Sequence, residues 1–224
     1  MKHVLITGGS DGLGKVTAQK LQAAKYKVTI LAKDETKTAA VAKEIGCEFV
    51  IADVTDHKAV RSAILSAGEI DILINNAGIW IQGPFDENEP EQVKRVMDVN
   101  ALGTMFAAQA VIPSMKKRKQ GRIVNVMSQA GLSAKAERVP YNASKWAVTG
   151  FTKSLQQELK PFGISVVGFY PGALNNEAIF VKSGNARDMS KGLELGIAAE
   201  ALVYVCDLPN DVNVPELGIL SLNY

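Results

Sequence analysis

Residues 2–16 read KHVLITGGSDGLGKV. Positions 4–7 are a short, apolar, β-branched run, which reads as a parallel strand buried on both faces. Gly8, Gly9, Gly12 and Gly14 follow at once. From Leu13 the pattern turns helical, with Val16, Leu21 and Ala24 among its apolar positions. Strand, glycine-rich turn and helix form the setting that a phosphate-binding loop requires. Glycine lets the backbone approach a pyrophosphate closely, and the helix N-terminus offers unpaired N–H groups and partial positive charge. The spacing is G-x-x-x-G-x-G rather than G-x-G-x-x-G, so an ordinary tight turn between a strand and a helix stays open at this point.

Working outward, apolar β-branched runs alternate with helical stretches. Strands are predicted over 4–7, 27–32, 48–52, 72–75, 121–127, 165–170 and 218–222. Helices are predicted over 12–24, 37–45, 57–66, 89–114, 141–160 and 199–206. That alternation implies right-handed crossovers and a doubly wound parallel sheet with helices on both faces, a three-layer α/β/α architecture. Ligands of such sheets bind outside the carboxyl ends of the strands. The glycine turn, Asp53, the NNAG of 75–78 and Ser128 each follow a predicted strand. The polar stretch 175–192 reads as a segment covering the site, and residues 1–224 as a single domain.

The chain has 224 residues, 47% hydrophobic and 21% charged, with a net charge of +2. That suits a globular core and gives no reason to expect nucleic acid or an anionic membrane as partner. The basic run 116–119 sits where a helix should end, and cations favour that end of the helix dipole. Two cysteines, Cys47 and Cys206, lack metal-ligand spacing, so no metal is expected and a reduced, cytoplasmic protein is. The opening shows no signal peptide and no run reaches spanning length. His3 and His57 have no partner pattern and read as structural or exposed.

The chemistry-bearing segment is YNASK, 141–145, with Ser128 thirteen positions earlier. Tyr141 and Lys145, four apart, share one helix face. A lysine charge favours tyrosinate over tyrosine, and lowering a pKa of about 10 toward the working pH makes a usable general acid/base. Ser128 then holds a substrate oxygen by its hydroxyl.

Through TGGSDGLG (7–14), ADV (52–54), NNAG (75–78), VNALG (99–103), Ser128, YNASK (141–145) and PG (171–172), the chain resembles the short-chain dehydrogenase/reductase family. The resemblance implies a Rossmann-like domain of about seven parallel strands, assembled as a homotetramer or homodimer through the long helices. It implies Tyr141 as acid/base, Lys145 as ribose ligand and pKa-lowering group, Ser128 as carbonyl-orienting group, and Asn100 as the residue that bends its helix and holds a water. The cofactor contacts it implies are Gly8, Ser10, Asp11, Gly12, Leu13 and Gly14 in the turn, and Asp53 and Val54 at the adenine. Asn76, Ala77 and Gly78 belong to the ribose side; Pro171, Gly172 and Leu174 lie beside the nicotinamide. Blander roles remain open at this point: a helix kink for Asn100, a serine turn for Ser128, a cap shared with Thr55 for Asp53, simple packing for Trp80.

NAD-preferring relatives place a carboxylate at the end of strand two. Here Ala32 and Lys33 stand there, and a lysine can pair with the 2′-phosphate of NADP, which is therefore the favoured cofactor. Asp11 stands where many NADP users carry a basic residue. Asn175 stands where many members have a threonine that contacts the nicotinamide. The expected activity is hydride transfer between NADP(H) and a small-molecule carbonyl or alcohol. Alternatives are a 3-oxoacyl-(acyl-carrier-protein) reductase, using Arg95, Lys116, Lys117 and Arg118, and a dinucleotide sensor without turnover.

Overall fold

The computed structural model describes residues 1–176 and 191–222. Seven strands form one parallel sheet: β1 (His3–Thr7), β2 (Lys27–Ala32), β3 (Glu48–Ile51), β4 (Ile72–Asn75), β5 (Gly121–Val126), β6 (Ile164–Pro171) and β9 (Glu216–Ile219). Their order is β3-β2-β1-β4-β5-β6-β9. A two-residue pair, β7 (Leu174–Asn175) and β8 (Leu193–Glu194), stands apart from it. The doubly wound architecture expected from the alternation is what forms. The last strand begins two residues earlier than predicted, because Glu216 pairs with Gly168 and the ladder stops at Ile219 opposite Pro171.

Both sheet faces are buried, so the strands' period-two alternation feeds two cores. Val4, Ile6, Val28, Ile30, Ile72 and Ile74 pack beneath α1 (Gly12–Ala23) and α7 (Leu195–Asp207). Leu5, Leu31, Leu73, Ile123 and Val166 pack beneath α3 (His57–Ser66), α5 (Gly103–Arg118) and α6 (Val139–Leu159). Aspartates start three helices. Asp11 caps α1 by accepting from the Gly12 amide, Asp34 caps α2 (Glu35–Ile45) through the Lys37 amide, and Asp56 caps α3 through the Lys58 and Ala59 amides. The caps explain why α2 starts two residues before the predicted point. Gly46, at φ +76°, closes α2 in the left-handed conformation that glycine adopts without strain.

The single helix predicted over 89–114 is instead α4 (Pro90–Met97), a π turn over 98–102 and α5. α5 runs through Pro113 to Arg118, and its last turn carries Lys116, Lys117 and Arg118. His3 is structural: it is buried, with Nδ1 at the Glu69 carbonyl and Nε2 at the Thr29 hydroxyl, and burial lowers its pKa.

Arg122, in the middle of the sheet, is 3% exposed. Its guanidinium donates to the carbonyls of Val205, Leu208, Pro209 and Val212, at 2.5 to 3.0 Å. It thereby ends α7 and fixes the loop that leads to β9. The Gly172 amide donates to the Ile219 carbonyl at 2.8 Å, so β9 also props the turn after β6. Among the described residues no helix is long and apolar enough to cross a membrane, and no group of three or more His, Cys, Asp or Glu could hold a metal.

Candidate active site

The glycine turn is bolted to the end of β4. Thr7 Oγ1 accepts from the Asn76 and Ala77 amides, both at 3.1 Å. The Asn76 side-chain amide donates back to the Thr7 and Gly8 carbonyls. Gly8 has φ +67°, and a Cβ there would lie 2.9 Å from Ala77 Cα. A Cβ on Gly14 would collide with the Gly8 carbonyl. Backbone therefore meets backbone across the crevice, and α1 has no acidic residue in its first turn. Ser10 and Leu13 are buried within this turn. Gly12 faces Asn176, whose Nδ2 would be 2.6 Å from a Cβ at that position.

The four residues expected to carry chemistry converge at the carboxyl ends of β4 and β5. Ser128, in the turn after β5, stands beside Tyr141 and acts to lower its pKa, and its Oγ accepts from the Ala130 amide. The serine turn and the approach to Tyr141 thus coexist. Lys145 Nζ lies 5.6 Å from the Tyr141 ring centroid and donates to the Val126 carbonyl at 3.1 Å. Asn100 is 1% exposed. It accepts from the Ile79 amide and donates to the Ile79 carbonyl, both at 2.8 Å, and donates to Ser144 Oγ at 3.0 Å. It sits in the π turn, so the local widening of the helix aims its amide at Ile79, in the loop just after NNAG. Gly78 lies between Asn100 and Lys145: a Cβ on it would be 3.4 Å from Asn100 Oδ1 and 3.7 Å from Lys145 Nζ.

Burial controls the electrostatics. It pushes the Tyr141 hydroxyl above its ordinary pKa, with the Ser128 hydrogen bond acting in the opposite direction. It pulls the Lys145 ammonium down to about 8. The sequence-based expectation is a tyrosine pulled down by its lysine; here the shift runs upward, with burial the largest cause and Ser128 the opposing one.

The remaining expected residues occupy the same rim in varied roles. Asp53 Oδ1 accepts from the Thr55 amide and hydroxyl, and Oδ2 from Arg95 at 2.9 Å. Those hydrogen bonds and the Arg95 charge hold its carboxyl down at about 2 against an opposing burial effect. Val54 is buried against α5, where a Cβ on Gly103 would come within 2.9 Å of it. Pro171 ends β6, Gly172 is tied to Ile219, and Leu174 pairs with Leu193. Lys33 is exposed just past β2. Asn175, singled out in the sequence, pairs with Glu194, and the next residue, Asn176, is the one at the glycine turn. Most of the segment expected to cover the site, 177–190, lies outside the described residues.

Two features escaped sequence reasoning. Lys37 Nζ donates to Asp11 Oδ2 at 2.6 Å, bridging the first turn of α2 to the cap of α1. Trp80 meets the Tyr141 ring edge-to-face, centroids 6.1 Å apart, while the Arg138 guanidinium lies 5.1 Å from the Trp80 centroid. Both join residues far apart in sequence; only Tyr141 and Arg138, three apart in the chain, lie within reach of spacing arguments.

The model of the short chain dehydrogenase family matches residues 2–185. The chain belongs to this family. An uncharacterized oxidoreductase of Staphylococcus saprophyticus is 33% identical over 228 residues, 97% of this chain and 96% of that one. A 3-dehydrosphinganine reductase of Danio rerio is 38% identical over 184 residues, which are 75% of this chain but 55% of the relative. The chain therefore spans only about half the length of that reductase. Among solved structures, an alcohol dehydrogenase from Thermococcus sibiricus complexed with 5-hydroxy-NADP superimposes with a TM-score of 0.90 at 26% identity, covering 100% of this chain and 98% of the other. A 3-ketoacyl-(acyl-carrier-protein) reductase from Brucella melitensis complexed with NADH does so with a TM-score of 0.91 at 28% identity, covering 99% and 98%. This family member is an oxidoreductase by kinship, with a nicotinamide-type cofactor bound in both of those relatives.

Proposed function

We propose that this chain transfers a hydride between a nicotinamide cofactor and a carbonyl or alcohol carbon, with Tyr141 as acid/base. The observation that carries the reading is one cluster: Tyr141 with Ser128 acting on its hydroxyl, and the buried Lys145 ammonium 5.6 Å from the same ring. A dinucleotide fits the glycine turn, where absent side chains and the α1 N-terminus suit a pyrophosphate. Gly8, Ser10, Gly12, Leu13 and Gly14 would hold its phosphates, Asn76 to Gly78 and Lys145 its riboses, and Pro171, Gly172 and Leu174 its nicotinamide end. When bound, that group supplies or accepts the hydride.

The chain's own residues do the rest. Ser128 Oγ donates to the carbonyl oxygen and fixes its position. Tyr141, protonated at neutral pH, gives its proton to that oxygen as the carbon becomes an alcohol. Lys145, charged below about pH 8, stabilises the tyrosinate left behind. Asn100 braces Ile79 and Ser144, and so holds the NNAG strand end against α6.

NADP is the cofactor this reading favours. Lys33 and Lys37 flank the end of β2, and the nearby Asp34 carboxylate is taken up as the α2 cap. The carrier-protein alternative is less well supported, because Arg95, Lys116 and Arg118 are engaged with Asp53, Glu158, Glu69 and Asp71. The sensor alternative has no lost catalytic group to rest on. We read the chain as one catalytic domain of a cytoplasmic homo-oligomer, supported by the half-exposed Trp146 on α6 and by Leu102; sedimentation of the purified protein tests the assembly.

The functional test follows NADPH consumption, with NADH in parallel, against ketones, aldehydes, 3-oxo acids and 3-oxoacyl thioesters. Turnover that is abolished in Tyr141→Phe and faster with NADPH is expected. Absence of turnover on every class with both cofactors overturns the reading.

A further inference from the structure

Arg138 is a half-buried cation one aromatic ring removed from Tyr141. It is the N-cap residue of α6, outside the helix proper, and stands three positions ahead of Tyr141. Trp80 touches both: its ring meets Tyr141 edge-on, and the Arg138 guanidinium lies over it at 5.1 Å. The Arg138 position is held by its neighbours. The Glu137 carbonyl accepts from the Gly83 amide at 2.9 Å, and the Asn142 side-chain amide donates to the Lys135 carbonyl at 2.9 Å. Among the described residues no carboxylate pairs with Arg138, whereas Lys15, Lys20, Lys37, Arg95 and Arg118 each have one.

A guanidinium stacked on an aromatic face keeps its in-plane N–H donors available, and their fork matches a carboxylate. We propose that Arg138, oriented by Trp80, selects carbonyl substrates that carry a carboxylate, making this an oxo-acid reductase in the forward direction and a hydroxy-acid dehydrogenase in reverse. The inference rests on the hydride-transfer reading above and deepens it. One guanidinium matches the single charge of a carboxylate, whereas a phosphate, with about 1.5 to 2 negative charges, asks for more cations than this rim supplies. Tyr141 and Ser128 would take the carbonyl oxygen, and Arg138, joined to Tyr141 through Trp80, the acid.

The test compares 2-, 3- and 4-oxo acids with their methyl esters and with phosphate-bearing ketones, at saturating NADPH. The wild-type protein is expected to prefer an acid over its ester, and Arg138→Gln to lower that ratio about 10- to 100-fold, mainly through the KM of the acid. Arg138→Lys is expected to restore part of it. Binding without cofactor gives a second readout. In Trp146→Phe protein, Trp80 is the remaining tryptophan, and a non-reducible carboxylate should alter its fluorescence; adding Arg138→Gln to that protein should abolish the response. Equal turnover of acids and esters, or an unchanged ratio in Arg138→Gln, overturns the inference while leaving hydride transfer standing. Preference for the phosphate-bearing ketones also overturns it. No turnover of any compound defeats the underlying reading instead.

Discussion

Replacing Lys145 with methionine should make the ligand-free protein more stable while destroying its activity. Lys145 is 5% exposed and makes one hydrogen bond, to the Val126 carbonyl. Its pKa falls from 10.5 to about 8 through burial alone. At about 1.36 kcal/mol per pH unit, that separation of about 2.5 units makes the buried charge cost the fold about 3 kcal/mol. Methionine keeps the length and removes the charge, but leaves the Val126 carbonyl without its donor, a loss of about 1–2 kcal/mol. The net gain is about 1–2 kcal/mol, or a Tm higher by about 2–8 °C for a chain of this size. The sign depends on pH. Below about pH 8 folded and unfolded wild-type protein are both charged at this site, and the cost is fully present. Between about 8 and 10.5 the unfolded state binds more protons, so wild-type stability rises with pH relative to the variant. The advantage of Lys145→Met should therefore shrink above about pH 8 and reverse within that window, at about pH 9–9.5. Paired thermal melts from pH 7 to 10.5 measure this. A variant no more stable than wild type at pH 7, or a difference that stays flat with pH, refutes the argument.

Four further outcomes are expected. Tyr141→Phe should lower kcat by about 10²- to 10⁴-fold, while dinucleotide binding, followed by fluorescence, persists. Reduction needs the Tyr141 proton and the Lys145 charge, so its kcat/KM should hold through neutral pH and decline above about 8, whereas alcohol oxidation should rise over the same range. A reduction rate that climbs between pH 7 and 9 would contradict this. Arg122→Ala should cost about 3–5 kcal/mol in urea denaturation, with lysine a poor substitute because it cannot fork to the carbonyls that end α7. Asp11→Asn keeps a cap for α1 but frees Lys37, and should tighten NADP⁺ binding about two- to fivefold, with little change for NAD⁺, by calorimetry. Equal changes for both would place the Asp11–Lys37 pair outside the 2′-phosphate region.

Local signals carried much of the architecture. The glycine turn, the buried β-branched runs and the Tyr141–Lys145 spacing are each written within a few residues, and the sheet and the Ser128–Tyr141–Lys145 cluster follow from them. Where contacts join distant segments, the reading stopped. A π turn leaves the apolar pattern of 89–114 nearly intact, so periodicity shows one helix where the chain has two joined by Asn100. The end of β2 points to Lys33, whereas the Lys37–Asp11 pair joins two helices and has no local signature. Nothing local marks Arg122 in its apolar run, since the carbonyls it gathers lie more than eighty residues away. The sign of the Tyr141 shift was missed for a related reason: spacing shows that a lysine is near, but not how much water the fold removes from both groups.

The β6–β9 pairing has a bearing on biosynthesis. β6 is buried along its whole length, and one of its edges is completed by residues 216–219, which are translated some fifty codons later. During that interval the growing chain exposes an eight-residue apolar strand with unpaired backbone groups, the kind of edge that recruits foreign strands. The turn carrying Gly172 gains its Ile219 tether in the same late step. Ribosome-bound chains stalled just short of residue 216 should therefore lean most heavily on chaperones, and the turn after β6 is among the last parts of the molecule to set.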